Sequence, residues 1–436
     1  MPAAPTITVR PARSVNGIVR IPGDKSISHR YAMLAAVARG ASRFHNFSAA
    51  RDCASTLGCV AGLGAKQRLT EDGTIEVTGL GLMPNVPALR APAAPLDCGN
   101  SGSTMRMLSG ILAGQPFTSE LFGDESLSRR PMARIIKPLS EMGAKISSLD
   151  AGHPPLKIHG GQLKAIRYKP DVASAQVKSC VLFAGLFAEG ETVVDEPIRT
   201  RDHGELALRA FGAEVDHHGN VARIRGGHQL SAIEAHVPGD LSSAAFFLCA
   251  AALFPGSQLS LPGILMNPTR ARLLDILIQM GLKITIAQVE QQHGELAGSI
   301  EARGATWKGG MIAGADTAAL IDEIPVLAAI APYSENGLEV RDAKELRVKE
   351  SDRIAAVATN LRHMGAEVDE RPDGLRISGR QKLHGAEVDS FGDHRIAMAF
   401  AIAALRADGE TLIHGSDAAG VSYPTFFDDL RSIASN

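Results

Sequence analysis

The chain repeats itself six times, and this repetition limits what it can fold into more than any single motif does. Five helix-like segments end in a glycine that leads into a strand start: LGAK at Gly64, MGAKI at Gly143, FGAEV at Gly212, MGLKI at Gly281 and MGAEV at Gly365. The glycines are 79, 69, 69 and 84 residues apart. Each reads as a helix C-terminus closed by a residue that can reach positive φ, followed by a β-branched or apolar strand start. A second series runs in phase and marks polar helix openings. It comprises DKSISHR at 24–30, GNSGSTMR at 99–106, ASAQVKS at 173–179, GDLSSAA at 239–245, IDEIPVLA at 321–328 and GDHRIAMA at 392–399. From Ser26 through Ser101, Ser174, Ser242 and Asp322 to Asp393 the steps are 75, 73, 68, 80 and 71 residues, so six repeats account for the chain.

Each repeat reads as an early helix, a short pair of extended segments such as TIEVTG at 74–79, and a second helix ending at the glycine. The early helix is almost entirely small and apolar after its polar start, as in SAAFFLCAAALF at 243–254 and RIAMAFAIAAL at 395–405. A helix apolar on nearly every face belongs at the centre of a domain, so its polar first turn has to emerge where polarity is needed. The predicted fold is therefore α/β, in two domains with three repeats and three buried helices each. The phase places one domain at 20–238 and the other, discontinuous, at 1–19 and 239–436, with the N-terminal strand TITVRP completing the last repeat. An active site between two such lobes is the expectation.

Composition narrows the partners. A formal net charge of −2 offers no electrostatic footing for nucleic acid, so anion specificity has to come from local arginines and lysines. No stretch reaches 18 uncharged apolar residues, and MPAAPTITVRPARSVNG has no apolar signal core, so neither a membrane span nor secretion is expected. Cysteines 53, 59, 98, 180 and 249 form no CxxC pair and read as buried thiols in a reducing cytoplasm. Histidines 217, 218 and 228 lack the spacing of a metal site.

The charged residues gather at the helix openings. Lys25, Ser26, Ser28 and Arg30 open the first helix, where free backbone N–H groups and the macrodipole favour an anion. Basic side chains there need a bound anion or a carboxylate to compensate them. Arg106, Arg129, Arg130, Lys178 and Arg201 recur near similar positions, enough donors to hold two anionic groups. The second half adds carboxylates: Asp322 in IDEIP, Lys349, Glu350 and Arg353 in RVKESDR, and His394 with Arg395 in GDHRIAM.

With GDKSISHR, LDCGNSGSTMR, RRPM, ASAQVKS, LRVKESDR and GDHRIAM in this order, the sequence closely resembles the 5-enolpyruvylshikimate-3-phosphate synthase family over essentially its full length. The resemblance implies the enolpyruvyltransferase fold, an inside-out α/β barrel in each domain. It assigns shikimate 3-phosphate to Lys25, Ser26, Arg30, Ser174, Ala175, Gln176, Arg201, Asp322 and Lys349. It assigns phosphoenolpyruvate to Lys25, Asn100, Gly102, Arg130, Gln176, Lys349, Arg353, His394 and Arg395. Asp322, Glu350 and Lys25 are the implied catalytic residues, and the implied protein is a monomer. ASAQVKS, VKESDR and the absence of a lysine before SYP at 422–424 resemble the glyphosate-tolerant class, whereas Gly102 is as in sensitive enzymes.

The chemistry implied is addition to the phosphoenolpyruvate alkene and then elimination of phosphate. It asks for an acid at the methylene, a base at the acceptor hydroxyl and charge neutralisation around phosphate and carboxylate, with no metal or redox cofactor. UDP-N-acetylglucosamine is the rival acceptor, but enzymes that use it usually carry a cysteine in the loop corresponding to 117–130, where this chain has none. Cyclisation of RNA ends is disfavoured by the charge of −2. A non-catalytic phosphometabolite binder would have no need of Asp322 and Glu350.

Overall fold

The computed structural model describes residues 5–81 and 88–435, so the first four residues of the opening segment lie outside the described part. Among the described residues there are six mixed sheets, one per repeat, and a small parallel pair of Leu163–Lys164 with Ala188–Glu189; four of the six share one four-stranded order, the fourth repeat's sheet adds a fifth strand and the last has three. In the second repeat a short edge strand, Leu96–Asp97, runs parallel to Thr118–Phe122. That strand pairs antiparallel with His153–His159, which forms a hairpin with Lys145–Leu149. The order along the chain is edge strand, buried helix, central strand, second helix, glycine, hairpin. Only one strand thus lies between the two helices, where the sequence suggested a pair. TIEVTG falls in the hairpin strand Ile75–Leu80, after the second helix Arg51–Gly62. The predicted closing glycines all turn at positive φ: 96° at Gly64, 112° at Gly143, 92° at Gly212, 111° at Gly281 and 88° at Gly365. A side chain with a Cβ is strained there, so each glycine sets where its helix stops and its hairpin begins.

The N-terminus lends strands to later repeats. Thr6–Val9 pairs antiparallel with Thr411–His414 in the last sheet, and Ser14–Ile18 runs parallel beside Gln258–Leu265 in the fourth, with Ala434–Ser435 on its outer side. The edge position of the first sheet is filled by Glu234–His236, parallel to Arg39–His45. The chain accordingly forms two bodies. The terminal body comprises Met1–Pro22, Pro238–Glu290 and Leu296–Asn436, and the central body Gly23–Val237 with Gln291–Glu295. This corrects the expected boundaries of 1–19, 20–238 and 239–436. Residues 20–22 and 238 stay with the terminal body, where Asp240 N–H donates to Pro22 O at 2.9 Å. Residues 291–295 belong to the central body, where the Gln292 side chain accepts from His236 N–H at 2.8 Å and Glu295 meets His203 at 2.6 Å.

Three buried helices occupy each body. The central body holds α1 (Lys25–Val37), α2 (Gly102–Ala113) and α3 (Ala175–Gly185); the terminal body holds α4 (Leu241–Leu253), α5 (Ile324–Ile330) and α6 (His394–Ala404). All 13 residues of α4 are buried, as the apolar run predicted, and each buried Phe or Leu contributes roughly 1.5–3 kcal/mol relative to exposure. α2 packs on α3, and α5 packs on α4 and α6. The α2–α3 contact is close because Gly110 has no side chain: a Cβ there would lie 2.1 Å from the carbonyl oxygen of Cys180. All five cysteines are buried free thiols. Among the described residues no helix is long and apolar enough to cross a membrane.

Candidate active site

The polar first turns of the buried helices carry the predicted residues, in one cluster per body. In the central body Asp24 caps α1 by accepting from Ile27 N–H at 2.9 Å, which leaves Lys25 and Ser26 in the opening turn. Lys25 Nζ lies 2.9 Å from Asp52 Oδ2, the carboxylate that a basic helix opening calls for, and its side chain keeps 20% exposure. Arg30 is buried. Its Nε and Nη2 donate to Ser179 Oγ at 3.2 and 2.9 Å, and Nη1 donates to Ser26 O at 2.8 Å. Burial pulls the Arg30 pKa down to about 10, against the opposing pull of Glu205 and Asp24, so it is charged at neutral pH. His29 is buried beside both cations, with Nδ1 2.6 Å from Thr56 Oγ1. Burial, reinforced by Lys25 and Arg30, lowers its pKa well below the usual value.

At the start of α2, Ser101 caps the helix by accepting from Thr104 N–H at 3.1 Å. Asn100 bridges Asp124 at 2.7 Å and the Arg130 guanidinium at 2.8 Å. Gly102 sits under two guanidinium groups: a Cβ there would be 3.0 Å from Arg106 Nη1 and 3.4 Å from Arg130 Nη1. Arg106 donates to Gln176 Oε1 at 2.8 Å, and Gln176 Nε2 donates to Ser103 Oγ at 2.8 Å, which ties the starts of α2 and α3 together. Ser174 caps α3 through Val177 N–H at 3.4 Å, and Ala175 is its first helical residue. Arg201 precedes the helix His203–Ala210, and its charge acts on Arg30. Two of the expected anion binders are engaged elsewhere: Arg129 pairs with Glu125 at the surface, and Lys178 is fully buried between Glu196 and Glu205.

The terminal body gathers its predicted residues around Arg353, which is 1% exposed. Arg353 Nη2 meets Glu350 Oε2 at 2.6 Å, Nε meets Asp393 Oδ2 at 2.8 Å, and Nη1 lies 3.5 Å from Asp322 Oδ1. Burial opposes its charge, but Asp393 and Glu350 outweigh burial and hold it more firmly protonated than a free arginine. Burial likewise pushes the Asp393 carboxyl up; Arg353 outweighs it, and the pKa lies below the ordinary value. Asp322 also has Lys349 Nζ at 3.7 Å, while its backbone carbonyl accepts from Arg395 Nη1 at 2.6 Å. Arg395 further approaches Glu323 at 3.8 Å, and His394 Nδ1 lies 4.0 Å from Asp393. Asp322 and Glu350 keep 19% and 20% exposure, so these two carboxylates are held by a buried cation yet remain reachable.

Sequence reading missed the partners. Asp393 is visible there only as the cap of α6, Ser179 only as the last residue of ASAQVKS, and Asp52 and Asp124 carry no motif of their own. Lys25–Asp52 and Arg353–Asp393 join residues 27 and 40 positions apart, a separation that no local pattern reveals.

Comparison with known proteins identifies the family. The profile of the EPSP synthase (3-phosphoshikimate 1-carboxyvinyltransferase) family matches residues 9–430. A 3-phosphoshikimate 1-carboxyvinyltransferase of Koribacter versatilis is 62% identical over 98% of this chain and 99% of its own. The solved EPSP synthase of Acinetobacter baumannii is 41% identical and superposes with a TM-score of 0.88, covering 98% of each chain. The enolpyruvyl transferase NikO of Streptomyces tendae shares the fold at a TM-score of 0.81 and 19% identity, covering 99% of this chain and 98% of its own. Six α/β repeats in phase, the helix-start residues they carry and a family match spanning 9–430 lead to one assignment: this chain belongs to the EPSP synthase family.

Proposed function

We propose that the two clusters divide the family reaction, transfer of the enolpyruvyl group of phosphoenolpyruvate to the 5-hydroxyl of shikimate 3-phosphate, between anion binding and proton transfer. A proton is added to the methylene carbon of phosphoenolpyruvate while the acceptor oxygen bonds to C2 and loses its own proton. The tetrahedral adduct then loses a methyl proton, the C–O bond to phosphate breaks, and the vinyl ether and inorganic phosphate result. In the terminal body Asp322 takes the hydroxyl proton, which leaves finally with the departing phosphate, and Glu350 delivers and recovers the methylene proton. Lys349, Arg353, His394 and Arg395 supply positive charge for the phosphate and carboxylate of phosphoenolpyruvate. In the central body Lys25, Ser26, Arg30, Ser174, Ala175, Gln176 and Arg201 hold shikimate 3-phosphate. Asn100, Gly102 and Arg130 offer donors to phosphoenolpyruvate, and Lys25 is a second proton carrier.

One observation carries the assignment of proton transfer. Asp322 and Glu350 are tethered to the same buried Arg353 and are nevertheless about one-fifth exposed, which suits a group that binds, releases and rebinds a proton. We also infer a monomer working in the cytoplasm, in keeping with five free thiols and a reducing compartment; light scattering on the purified protein checks the monomer. The activity test is phosphate release from phosphoenolpyruvate with shikimate 3-phosphate, beside UDP-N-acetylglucosamine and no acceptor. Release with shikimate 3-phosphate alone is expected, and release with the UDP-sugar instead would overturn the acceptor.

A further inference from the structure

Lys178 is a basic residue of the helix openings that the reaction leaves unused, and the most deeply buried of them. It lies one turn inside α3, with its ammonium 2.8 Å from Glu196 Oε2 and 2.8 Å from Glu205 Oε1, and all three side chains are at most 1% exposed. Neither contact has the alignment of a hydrogen bond, and Glu205 Oε2 is buried without a hydrogen-bond partner. The next residue, Ser179, takes two hydrogen bonds from Arg30. Glu205 belongs to the helix His203–Ala210, which packs on α1 and α3. At Gly204 a Cβ would lie 2.6 Å from Ser179 Oγ and 3.6 Å from Arg30 Nε, so the Glu205 turn runs directly beside the Arg30–Ser179 contact. The charges acting on Arg30 are Glu205, Asp24 and Glu295 on the acidic side and Arg201 on the basic side.

We infer that Lys178 is a positioning residue that occupies Glu196 and Glu205, and so keeps Glu205 from capturing the guanidinium of Arg30 needed by the phosphorylated acceptor. A buried carboxylate stripped of its cation seeks the nearest one, because an unpaired charge in a dry site is far more costly than a paired one. Arg30 is the cation beside Glu205, and rotating it toward that carboxylate breaks its contact with Ser179. Lys178 acts on the acceptor site without touching the acceptor. The inference rests on the reading that Arg30 holds shikimate 3-phosphate.

The test compares KM for shikimate 3-phosphate in Lys178→Met, Lys178→Met/Glu205→Gln and Arg30→Ala, with folding checked by circular dichroism. Lys178→Met is expected to raise this KM more than tenfold while KM for phosphoenolpyruvate changes less than about twofold. The double variant, which removes one charge of each sign, is expected to return to within about threefold of the parent. A purely structural role for Lys178 would leave the double variant as impaired as the single one, and that result overturns the inference. So does a folded Lys178→Met with unchanged KM, provided Arg30→Ala raises it. If Arg30→Ala itself leaves KM unchanged, the reading of Arg30 is what fails. Should Lys178→Met not fold, Lys178→Gln/Glu205→Gln carries the same test: near-parental KM supports the inference, and a tenfold rise in the folded protein overturns it.

Discussion

The two bodies are built from the same repeat but compensate charge in opposite ways. In the central body the cations named for the site have separate local partners: on α1 Lys25 meets Asp52 and Arg30 meets Ser179 and a backbone carbonyl, while Arg130, just past the helix Glu125–Ser128, meets Asn100. In the terminal body one buried arginine is shared by Asp322, Glu350 and Asp393. Spread cations leave donors that an anionic substrate can meet, whereas carboxylates gathered on one cation are fixed in place and still differ in exposure. The difference teaches that a repeated fold fixes where side chains emerge, and that local charge then decides which ionisable groups an opening presents.

The largest expected effect tests that division. Glu350→Gln and Asp322→Asn keep the size of each side chain and remove its proton chemistry, so kcat is expected to fall by roughly 10²–10⁴-fold with KM values changed only a few-fold. Steady-state kinetics with both substrates measures this. Equal losses in kcat and in affinity for either variant would return that carboxylate to a binding role and break the contrast.

Next comes stability. Arg353→Met leaves three carboxylates around an empty position, and Asp393 is fully buried, so about 3–5 kcal/mol of unfolding free energy is expected to be lost. Lys25→Met removes the pair with Asp52 from a side chain that is 20% exposed; it is expected to abolish activity while costing clearly less stability. Urea unfolding of the two variants side by side makes the comparison. Equal destabilisation would mean that Lys25 is as structural as Arg353.

Much of the architecture was legible because it depends on local chemistry. The five closing glycines, the six polar openings and the borrowed strand Thr6–Val9 all follow from backbone freedom, capping and phase. The order inside each repeat was not, because hairpin strands such as Lys283–Gln292 are almost wholly exposed and show no period-2 burial. A further glycine series has no reason visible in the sequence. At Gly79 and Gly304 a Cβ would fall 2.2 Å from Ala35 O and 2.0 Å from Phe254 O, and Gly160 and Gly226 make the same close approach to the ends of their buried helices. That approach is set by packing, so the sequence shows the glycines without their reason. At the site, the helix-start residues were readable one by one, while Lys178 looked like its neighbours because its two glutamates lie 18 and 27 residues downstream.

The smallest effect sharpens the comparison through His29. This buried imidazole sits among the cations of the central body, and burial, Lys25 and Arg30 together depress its pKa well below 6.5. As pH falls below 6.5 the unfolded chain takes up this proton while the folded chain does not. The unfolded state then binds more protons, and stability is lost at up to about 1.4 kcal/mol per pH unit until the folded-state pKa is reached. His29→Asn, which keeps a polar partner near Thr56, is expected to remove that share of the slope between pH 6.5 and 5. Urea unfolding of parent and variant across that range isolates it, since every other titrating group is common to both proteins. Parallel stability curves would show that His29 already carries a proton beside Lys25 and Arg30, and that the carboxylates Asp24 and Asp52 dominate this helix opening rather than its cations.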